Sequence, residues 1–277
     1  MYICADKEPR QDPDLSDGQS GACVLLCCMY HHVDADKYSN SPSILEDHLK
    51  YITHHFNIVL PPDVLSEDRA NVCMVFDDAS YSFYRYVLPL IRENGIRVLL
   101  SVSPKFIVES SDHVDERTRL GVPADKMMMG NLYTKAVPYC TWSELLAICK
   151  SGCVKIASHS YSHSNLLKSS EVENELLMSK EILEKRLGQE VDTFVYPYGQ
   201  FNASILKRVQ KYYRYSFAIG AGDNKTWNGV GGVLFRIAAD DLSDPVSILS
   251  STNLKKYKLL RFRLYAKKWL MDHKQSM

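Results

Sequence analysis

The run Asn71-Val72-Cys73-Met74-Val75-Phe76-Asp77-Asp78 is largely apolar and ends in two adjacent carboxylates. Such a run is typical of a buried β-strand, and in parallel β/α folds the chemistry gathers where strands end. His159 and His163 lie four residues apart, a spacing that lets two imidazoles reach one ion. One carboxylate and two imidazoles form a metal site with open positions, and the second carboxylate can act as a base beside it. The sequence therefore predicts a metal-dependent hydrolase.

Taken alone, the acidic pair and the histidine pair can each be explained without a metal site. Acidic pairs such as Asp77-Asp78 often cap helices, and a helical pattern starts soon afterwards, at Ser82. His159 and His163 could be surface or capping histidines. They follow an apolar run directly, however, and the small hydroxyl residues around them leave room for an ion. The combination is therefore more specific than either half.

Strand-like apolar runs alternate with helical patterns, which favours parallel β/α units over a β-sandwich. The runs are 22–30, 71–76, 97–102, 154–157, 193–196, 215–219 and 233–238. Polar motifs lie at the ends of four of them: Tyr30-His31-His32, Asp77-Asp78, Ser158-His159 and Tyr196-Pro197-Tyr198-Gly199. Because strand ends meet at one mouth in a β/α barrel, we expect these motifs to converge.

Helical patterns occupy the connections, at 42–55, 82–94, 141–150, 171–187 and 203–211. The pattern at 171–187 has Ser170 in the N-cap position and Glu173 three residues later, which predicts a capping box, and Gly188 is expected to end it. The same Ser/Thr-x-x-Glu spacing opens the helix at Thr141.

Composition limits the remaining possibilities. A chain of 277 residues with 45% hydrophobic content can bury one large core, and such barrels often form a single domain. Lys+Arg and Asp+Glu both number 33, so no overall charge indicates nucleic acid as a partner. The eight cysteines include no C-x-x-C pair, which favours buried free thiols. No signal-peptide pattern or membrane-spanning run is visible, and we expect a cytoplasmic protein.

Three motifs occur in order: Val75-Phe76-Asp77-Asp78, His159-Ser160-x-x-His163 and Tyr196-Pro197-Tyr198-Gly199. In this combination the chain resembles the polysaccharide deacetylases, that is, carbohydrate esterase family four with the nodulation-type chitooligosaccharide deacetylase domain. With Met29-Tyr30-His31-His32-Val33 and Phe235-Arg236-Ile237 the resemblance is closest to the poly-N-acetylglucosamine deacetylase branch. It implies an α/β fold, a single distorted (β/α)7 barrel, and hydrolysis of an N-acetyl group on an amino sugar.

The resemblance also implies which residues bind metal. Asp78, His159 and His163 would hold a divalent ion, most often Zn²⁺ in this family, and Asp77 would be the base that takes a proton from the metal-bound water. Coordination lowers the pKa of such a water towards about 7 and polarises the acetamide carbonyl.

Two further roles follow from the resemblance. The backbone N–H of Tyr198 would donate to the oxyanion. The acid that protonates the leaving amine maps to His31 in the branch that the chain most resembles, and its neighbour His32 ranks lower.

Three positions depart from the family pattern. Ala79 stands where the family usually has Gly, and Ala should fit there unless the position requires a positive φ. Val195 stands where many members have an Arg that partners the base, and Arg236 could substitute if its side chain reaches the mouth. The late Leu-x-x-His motif is missing, because 237–241 contains no histidine. His31 is therefore necessary to the predicted reaction.

We divide the chain into a polar N-terminal segment 1–21, the barrel 22–250 and a basic C-terminal extension 251–277. Residues 254–271 carry seven Lys or Arg and no acid, mixed with aromatic residues, which suits an anionic membrane surface. A helical wheel scatters the basic residues widely, so a helix packed on the barrel with snorkelling Lys and Arg explains the segment equally well. A peripheral membrane contact through 254–271 is one of two open interpretations.

Three functions are compatible with these residues. The first is an active deacetylase of an amino sugar in a glycan or glycan precursor. The others are a non-catalytic glycan-binding relative and a metal amidohydrolase of a small non-sugar amide. The presence of Asp77, Asp78, His159, His163 and His31 together favours an enzyme, because a binding module has no need of all five. The sequence leaves open whether the sugar is part of a polymer, lipid-linked or nucleotide-linked.

Overall fold

Seven apolar runs form parallel strands that close into a barrel. They are β1 (Leu25–Tyr30), β2 (Asn71–Phe76), β3 (Val98–Val102), β4 (Val154–Ser158), β5 (Thr193–Val195), β6 (Tyr215–Ile219) and β7 (Leu234–Ala238). Strand β1 pairs with both β2 and β7, which closes the barrel, and the other strands pair with their neighbours in sequence. The predicted single (β/α)7 barrel is confirmed.

The structure is a computed structural model that describes residues 23–274, with side chains as far as Leu264 in the last helix. The predicted polar segment 1–21 and Cys4 lie outside the described residues. Two short additions flank the barrel: Asn57–Ile58 extends the sheet beside β2, and His32–Val33 pairs with Ser39–Asn40 next to the end of β1.

The barrel strands are buried on both faces because one face fills the barrel interior and the other lies under helices. Along β1, Leu25 and Cys27 belong to the interior cluster, whereas Leu26 and Cys28 belong to the outer core. This alternation follows from the two-residue period of a strand. It explains why the runs read as continuously apolar in the sequence.

The helices of the described chain form the outer layer. They are α1 (Pro42–His55), α2 (Leu88–Glu93), α3 (Glu116–Leu120), α4 (Leu132–Lys135), α5 (Trp142–Lys150), α6 (Val172–Leu187), α7 (Ala203–Val209) and α8 (Ser251–Lys274). The segment before α2, Phe83–Val87, is π-helical. None of these helices is long and apolar enough to cross a bilayer.

The connection between β6 and β7, residues 220–233, contains no helix. Because the outer layer is interrupted there, a hollow of about 410 Å³ lies between α7 and α8, with Leu206, Phe235 and Leu264 among its lining residues. The wall of the barrel at β6 and β7 is therefore covered on one side by α8.

The cysteines of the described chain are free thiols, as the sequence predicts. Four of them are buried, at positions Cys27, Cys28, Cys73 and Cys140. Burial raises the pKa of the Cys28 thiol to about 12, so this group stays protonated and unreactive.

The two predicted capping boxes have different outcomes. Thr141 accepts a hydrogen bond from the Glu144 N–H and donates its own N–H to the Glu144 carboxylate, so the box at α5 is confirmed. The box at Ser170 is wrong, because α6 starts after Glu171 without a side-chain cap. Its Glu173 carboxylate accepts a hydrogen bond from the Tyr212 hydroxyl instead, 2.8 Å away, and is not free to reach back.

We expect Thr141→Ala to lower the free energy of unfolding by about 1 kcal/mol, because the Glu144 backbone N–H at the start of α5 loses its acceptor, the Thr141 hydroxyl. Urea unfolding monitored by circular dichroism measures the change. Ser170→Ala is the matched control and should shift the free energy by less than about 0.5 kcal/mol. Equal losses for the two variants would contradict the capping assignment.

Candidate metal centre and catalytic site

The strand register brings the predicted residues to one mouth. Tyr30 pairs with Phe76, so the next residues, His31 and Asp77, lie side by side at the ends of β1 and β2. The Asp77 N–H donates to the Tyr30 carbonyl at 2.8 Å and fixes this arrangement. Since barrel strands are parallel, the loops that follow β4, β5 and β7 open at the same end.

Asp78, His159 and His163 form a cluster in which one ligand atom from each lies within 4.8 Å of the others. Asp78 Oδ1 is 3.7 Å from His159 Nε2 and 3.6 Å from His163 Nε2. Two donors that each lie about 2.1 Å from a tetrahedral ion are about 3.4 Å apart. The spacing and the donor types therefore fit a divalent ion such as Zn²⁺.

An unpaired buried oxygen also favours a cation at this position. Asp78 Oδ1 is buried and has no hydrogen-bond partner among the described residues. A buried carboxylate oxygen without a donor is costly unless a cation is bound to it. The cluster thus has the chemistry of a metal site.

The imidazole of His159 is held in the orientation that a ligand requires. Its Nδ1 donates to the Val195 carbonyl at 2.8 Å, because a carbonyl can only accept, and this leaves the lone pair of Nε2 facing Asp78. Burial lowers the pKa of His159 to about 4, so the ring is neutral near pH 7. Val195 thus contributes its backbone to the site.

The loop that carries His163 is fixed by a buried carboxylate from α6. Glu175 accepts hydrogen bonds from the Ser162 N–H at 2.8 Å and from the Ser162 hydroxyl at 2.5 Å. It also accepts one from the Ser164 hydroxyl at 3.1 Å. These bonds on both sides of His163 set the direction of its ring.

Asp77 is buried at the centre of an ion-pair network. Arg236 on β7 donates from Nη1 to both carboxylate oxygens, each at 2.8 Å, and Ser101 on β3 donates to Oδ1 at 2.8 Å. Burial alone would raise the pKa of Asp77, but the charges of Arg236, His159 and His31 outweigh it and lower the pKa to about 2. The contact that the sequence suggested between Arg236 and the predicted base is present.

His31 lies between two acids. Its Nδ1 is 2.6 Å from Asp240 Oδ2, its backbone N–H donates to Asp240 Oδ1 at 2.9 Å, and its Nε2 is 3.7 Å from Asp77 Oδ2. Burial favours the neutral ring, but the hydrogen bond to Asp240 and the charge of Asp77 raise the pKa to about 9. His31 is therefore protonated near pH 7. His32 pairs with Ser39 in the short sheet and is buried.

Exposed tyrosines lie on two of the histidines of the mouth, His31 and His163. The Tyr198 ring packs against His163 with 4.8 Å between centroids, and Tyr38 packs against His31 at 5.8 Å. Tyr198 lines a hollow of about 440 Å³ together with His163 and Gln200. As the second residue of the one-turn helix Pro197–Gly199, its backbone N–H has no acceptor within that turn.

The backbone is left-handed at several site positions. Positive φ angles occur at Asp78 (69°), Ala79 (51°), Ser160 (60°), His163 (54°) and Tyr198 (59°). Ala79 meets the condition under which alanine was not expected to fit freely, because the position adopts a positive φ. A non-glycine residue there costs roughly 1–2 kcal/mol. The strain is concentrated at the mouth.

The sequence interpretation missed several residues that hold this site. Asp240 follows the end of β7, and a carboxylate just after a strand is the same signal that identified Asp77. In residues 237–241 the sequence interpretation considered only histidine as a functional residue. Ser101 is a polar residue inside the apolar strand β3, which marks it as inward-facing. Glu175 and Tyr38 have no sequence feature that separates them from other surface-type residues.

The polysaccharide deacetylase family model matches residues 66–216, more than half of the chain. The chain belongs to the polysaccharide deacetylase family. The match contains the Asp77-Asp78 pair and both histidines of the metal cluster, whereas His31, Arg236 and Asp240 lie outside it. Comparison with curated proteins gives no match.

Solved structures share the fold of this deacetylase at low identity. A polysaccharide deacetylase of Bacillus cereus has a TM-score of 0.66 and 17% identity, over 83% of this chain and 69% of its own. IcaB from Ammonifex degensii has a TM-score of 0.65 and 16% identity, over 84% and 98%. The deacetylase PplD of Streptococcus pyogenes, in complex with acetate, has a TM-score of 0.64 and 17% identity, over 82% of this chain and 97% of its own. Family and fold together support a carbohydrate deacetylase.

We expect Asp240→Asn to lower the pKa of His31 in the deacetylase to below about 7, because burial then outweighs the remaining charge of Asp77. Titration of the ring by NMR in chelator-treated protein measures it, with a wild-type value of about 9. Because the folded-state pKa is raised above 6.5, this interaction stabilises the fold fully below pH 6.5 and is lost as the pH rises through 9.

Asp241→Asn is the control for this titration. Asp241 is exposed and bonds to Ser39 through its backbone N–H only, so its side chain should not affect His31. The assignment is wrong if both variants shift the titration equally or if Asp240→Asn leaves it unchanged.

We expect Arg236→Met to destabilise the deacetylase by about 3–5 kcal/mol at pH 7, because Asp77 would remain buried without its cation. The double variant Asp77→Asn/Arg236→Met should recover most of that loss in urea unfolding. Arg85→Met is the matched control, since Arg85 is 49% exposed and its pair with Glu116 contributes at most about 1 kcal/mol. A loss below about 1 kcal/mol for Arg236→Met would contradict the network.

Proposed function

We propose that this protein hydrolyses the N-acetyl group of an amino sugar in a glycan or glycan precursor. One observation carries the proposal: a carboxylate and an imidazole with opposite pKa shifts, Asp77 and His31, lie 3.7 Å apart beside a three-residue metal cluster. Groups whose environments separate their pKa values in this way are suited to be the base and the acid of one reaction.

Asp77 would take the proton from the attacking water. Its low pKa keeps it ionised over the whole neutral range, but it also makes Asp77 a weak base. A divalent ion such as Zn²⁺, held by Asp78, His159 and His163, would compensate for the weak base. It would lower the pKa of the attacking water and polarise the acetamide carbonyl. Arg236 and Ser101 hold the Asp77 carboxylate in place.

His31 would donate a proton from Nε2 to the departing amine. Its Nδ1 is held by Asp240, so the free N–H of the imidazolium faces the mouth and Asp77. The backbone N–H of Tyr198 would donate to the carbonyl oxygen as it gains negative charge. Each charge that develops during amide hydrolysis thus has a partner in this chain.

The other candidate functions are distinguishable by their requirements. A glycan-binding relative without activity has no use for a protonated His31 beside an ionised Asp77. A small-amide hydrolase would use the same groups but would not need the exposed tyrosines next to His31 and His163, where sugar rings can pack. We further propose a cytoplasmic location, on the basis of the free thiols.

Metal analysis followed by acetate release from N-acetylglucosamine oligomers tests the proposal. We expect about one Zn²⁺ or similar ion per chain and acetate release by the wild type. Asp77→Asn should retain the metal and lower kcat/KM by about 10²–10⁴, because only proton transfer is lost. Asp78→Asn should lose both metal and activity.

His113→Gln is the control, because this histidine is exposed and lies outside the cluster. Wild-type protein that binds metal but releases acetate only from small amides would favour the amidohydrolase. Protein that binds oligomers without hydrolysing them would favour the binding relative.

A further inference from the structure

The last helix has an inner face that is fixed to the barrel. Tyr257 of α8 is buried, and the buried Arg261 forms an ion pair with Asp223 in the connection between β6 and β7. A Cβ on Gly222 would meet Leu264 Cδ1 at 2.8 Å, so the glycine allows α8 to approach the wall closely. These contacts determine which side of α8 faces outward.

The outward face combines basic and large apolar side chains. Lys255, Lys256 and Arg263 are exposed, Leu259 is 57% exposed and Phe262 is 63% exposed. Their spacing of three, four, seven and eight positions places them on one side of the helix. Residues 251–264 contain no acid, so no charge on this part of α8 offsets the cations.

The contacts of α8 resolve the ambiguity of the helical wheel. The basic residues look scattered because one of them, Arg261, points inward to Asp223. The remaining exposed cations, at Lys255, Lys256 and Arg263, flank Leu259 and Phe262. The packing interpretation thus applies to the inner face of the helix as far as Leu264, which leaves only the outward face for the membrane interpretation.

We propose that this outward face of α8, defined by Lys255, Lys256, Leu259, Phe262 and Arg263, docks on an anionic lipid bilayer. Cations attract negatively charged headgroups, and apolar side chains between them enter the boundary of the acyl chains. Exposed leucine and phenylalanine together on one surface otherwise carry a cost in water. The charge of the face makes an anionic bilayer the complementary partner.

The position of α8 connects this surface with the candidate active site. Leu264 and Gln200 line the hollow of about 410 Å³ beside α7. Gln200 also lines the hollow of about 440 Å³ that contains His163 and Tyr198. Gln200 thus lines both hollows, and docking through α8 would bring a sugar attached to a membrane lipid to the protein.

Co-sedimentation of the full chain with vesicles tests this docking. We expect binding to phosphatidylcholine vesicles that contain phosphatidylserine, much weaker binding to phosphatidylcholine alone, and loss of binding in high salt. The variant Lys255→Ala/Lys256→Ala/Arg263→Ala should bind at least about tenfold more weakly. Leu259→Ser/Phe262→Ser should also weaken binding, and with less dependence on salt.

Matched controls remove charged or apolar side chains of the same kind from other helices. Lys150→Ala/Lys185→Ala/Lys207→Ala removes the same charge from exposed positions, and Leu146→Ser/Leu177→Ser removes two exposed leucines. Both controls should bind vesicles as the wild type does. All of these variants should release acetate from soluble oligomers at the wild-type rate, because none lies in the catalytic site.

The proposal is overturned if phosphatidylserine vesicles do not bind the protein at low salt, or if the α8 variants and their controls lose binding equally. It is also overturned if sedimentation shows a concentration-dependent dimer that Leu259→Ser/Phe262→Ser abolishes, because the face would then join two copies of the chain. Loss of acetate release in every preparation would instead contradict the proposed reaction, and it would not affect the conclusion about docking.

Discussion

The buried ion pair between Asp77 and Arg236 is the constraint on which the site depends. Asp77 directly follows β2 and Arg236 lies within β7, so the pair spans β1, the strand that closes the barrel. A charge this deeply buried is costly unless it is paired and hydrogen-bonded. The barrel must therefore be closed, with all seven strands in register, before Asp77 can be both buried and ionised.

The ion pair between Asp77 and Arg236 also gives the two neighbouring acids different partners. Asp77 has Arg236 and Ser101 as donors, whereas Asp78 Oδ1 has none among the described residues. The positive φ of Asp78 turns its carboxylate away from its neighbour and towards the histidines. One acid is thus satisfied by the protein and the other is left for a cation, although the two are adjacent in sequence.

The fold and most of the site could be predicted because strand periodicity and strand ends are local in sequence. The order of the apolar runs predicted parallel β/α units, the resemblance to the deacetylase family implied the barrel, and the motifs at the strand ends predicted which side chains meet. Glu175 could not be found in this way, because it lies within a helix and reaches the loop of His163 through contacts with Ser162 and Ser164 that only packing creates. The failed cap at Ser170 has a similar origin, since Tyr212 of the next unit engages Glu173.

The C-terminal helix also forms part of the outer layer of the barrel, at the connection between β6 and β7. With no helix in residues 220–233, α8 takes over part of the outer layer through Tyr257, Arg261 and Leu264. A chain that stopped at residue 250 would leave the Asp223 carboxylate buried without its cation and would uncover apolar wall. Residues 251–264 therefore shield the wall of the barrel from water on the side that the connection between β6 and β7 leaves open.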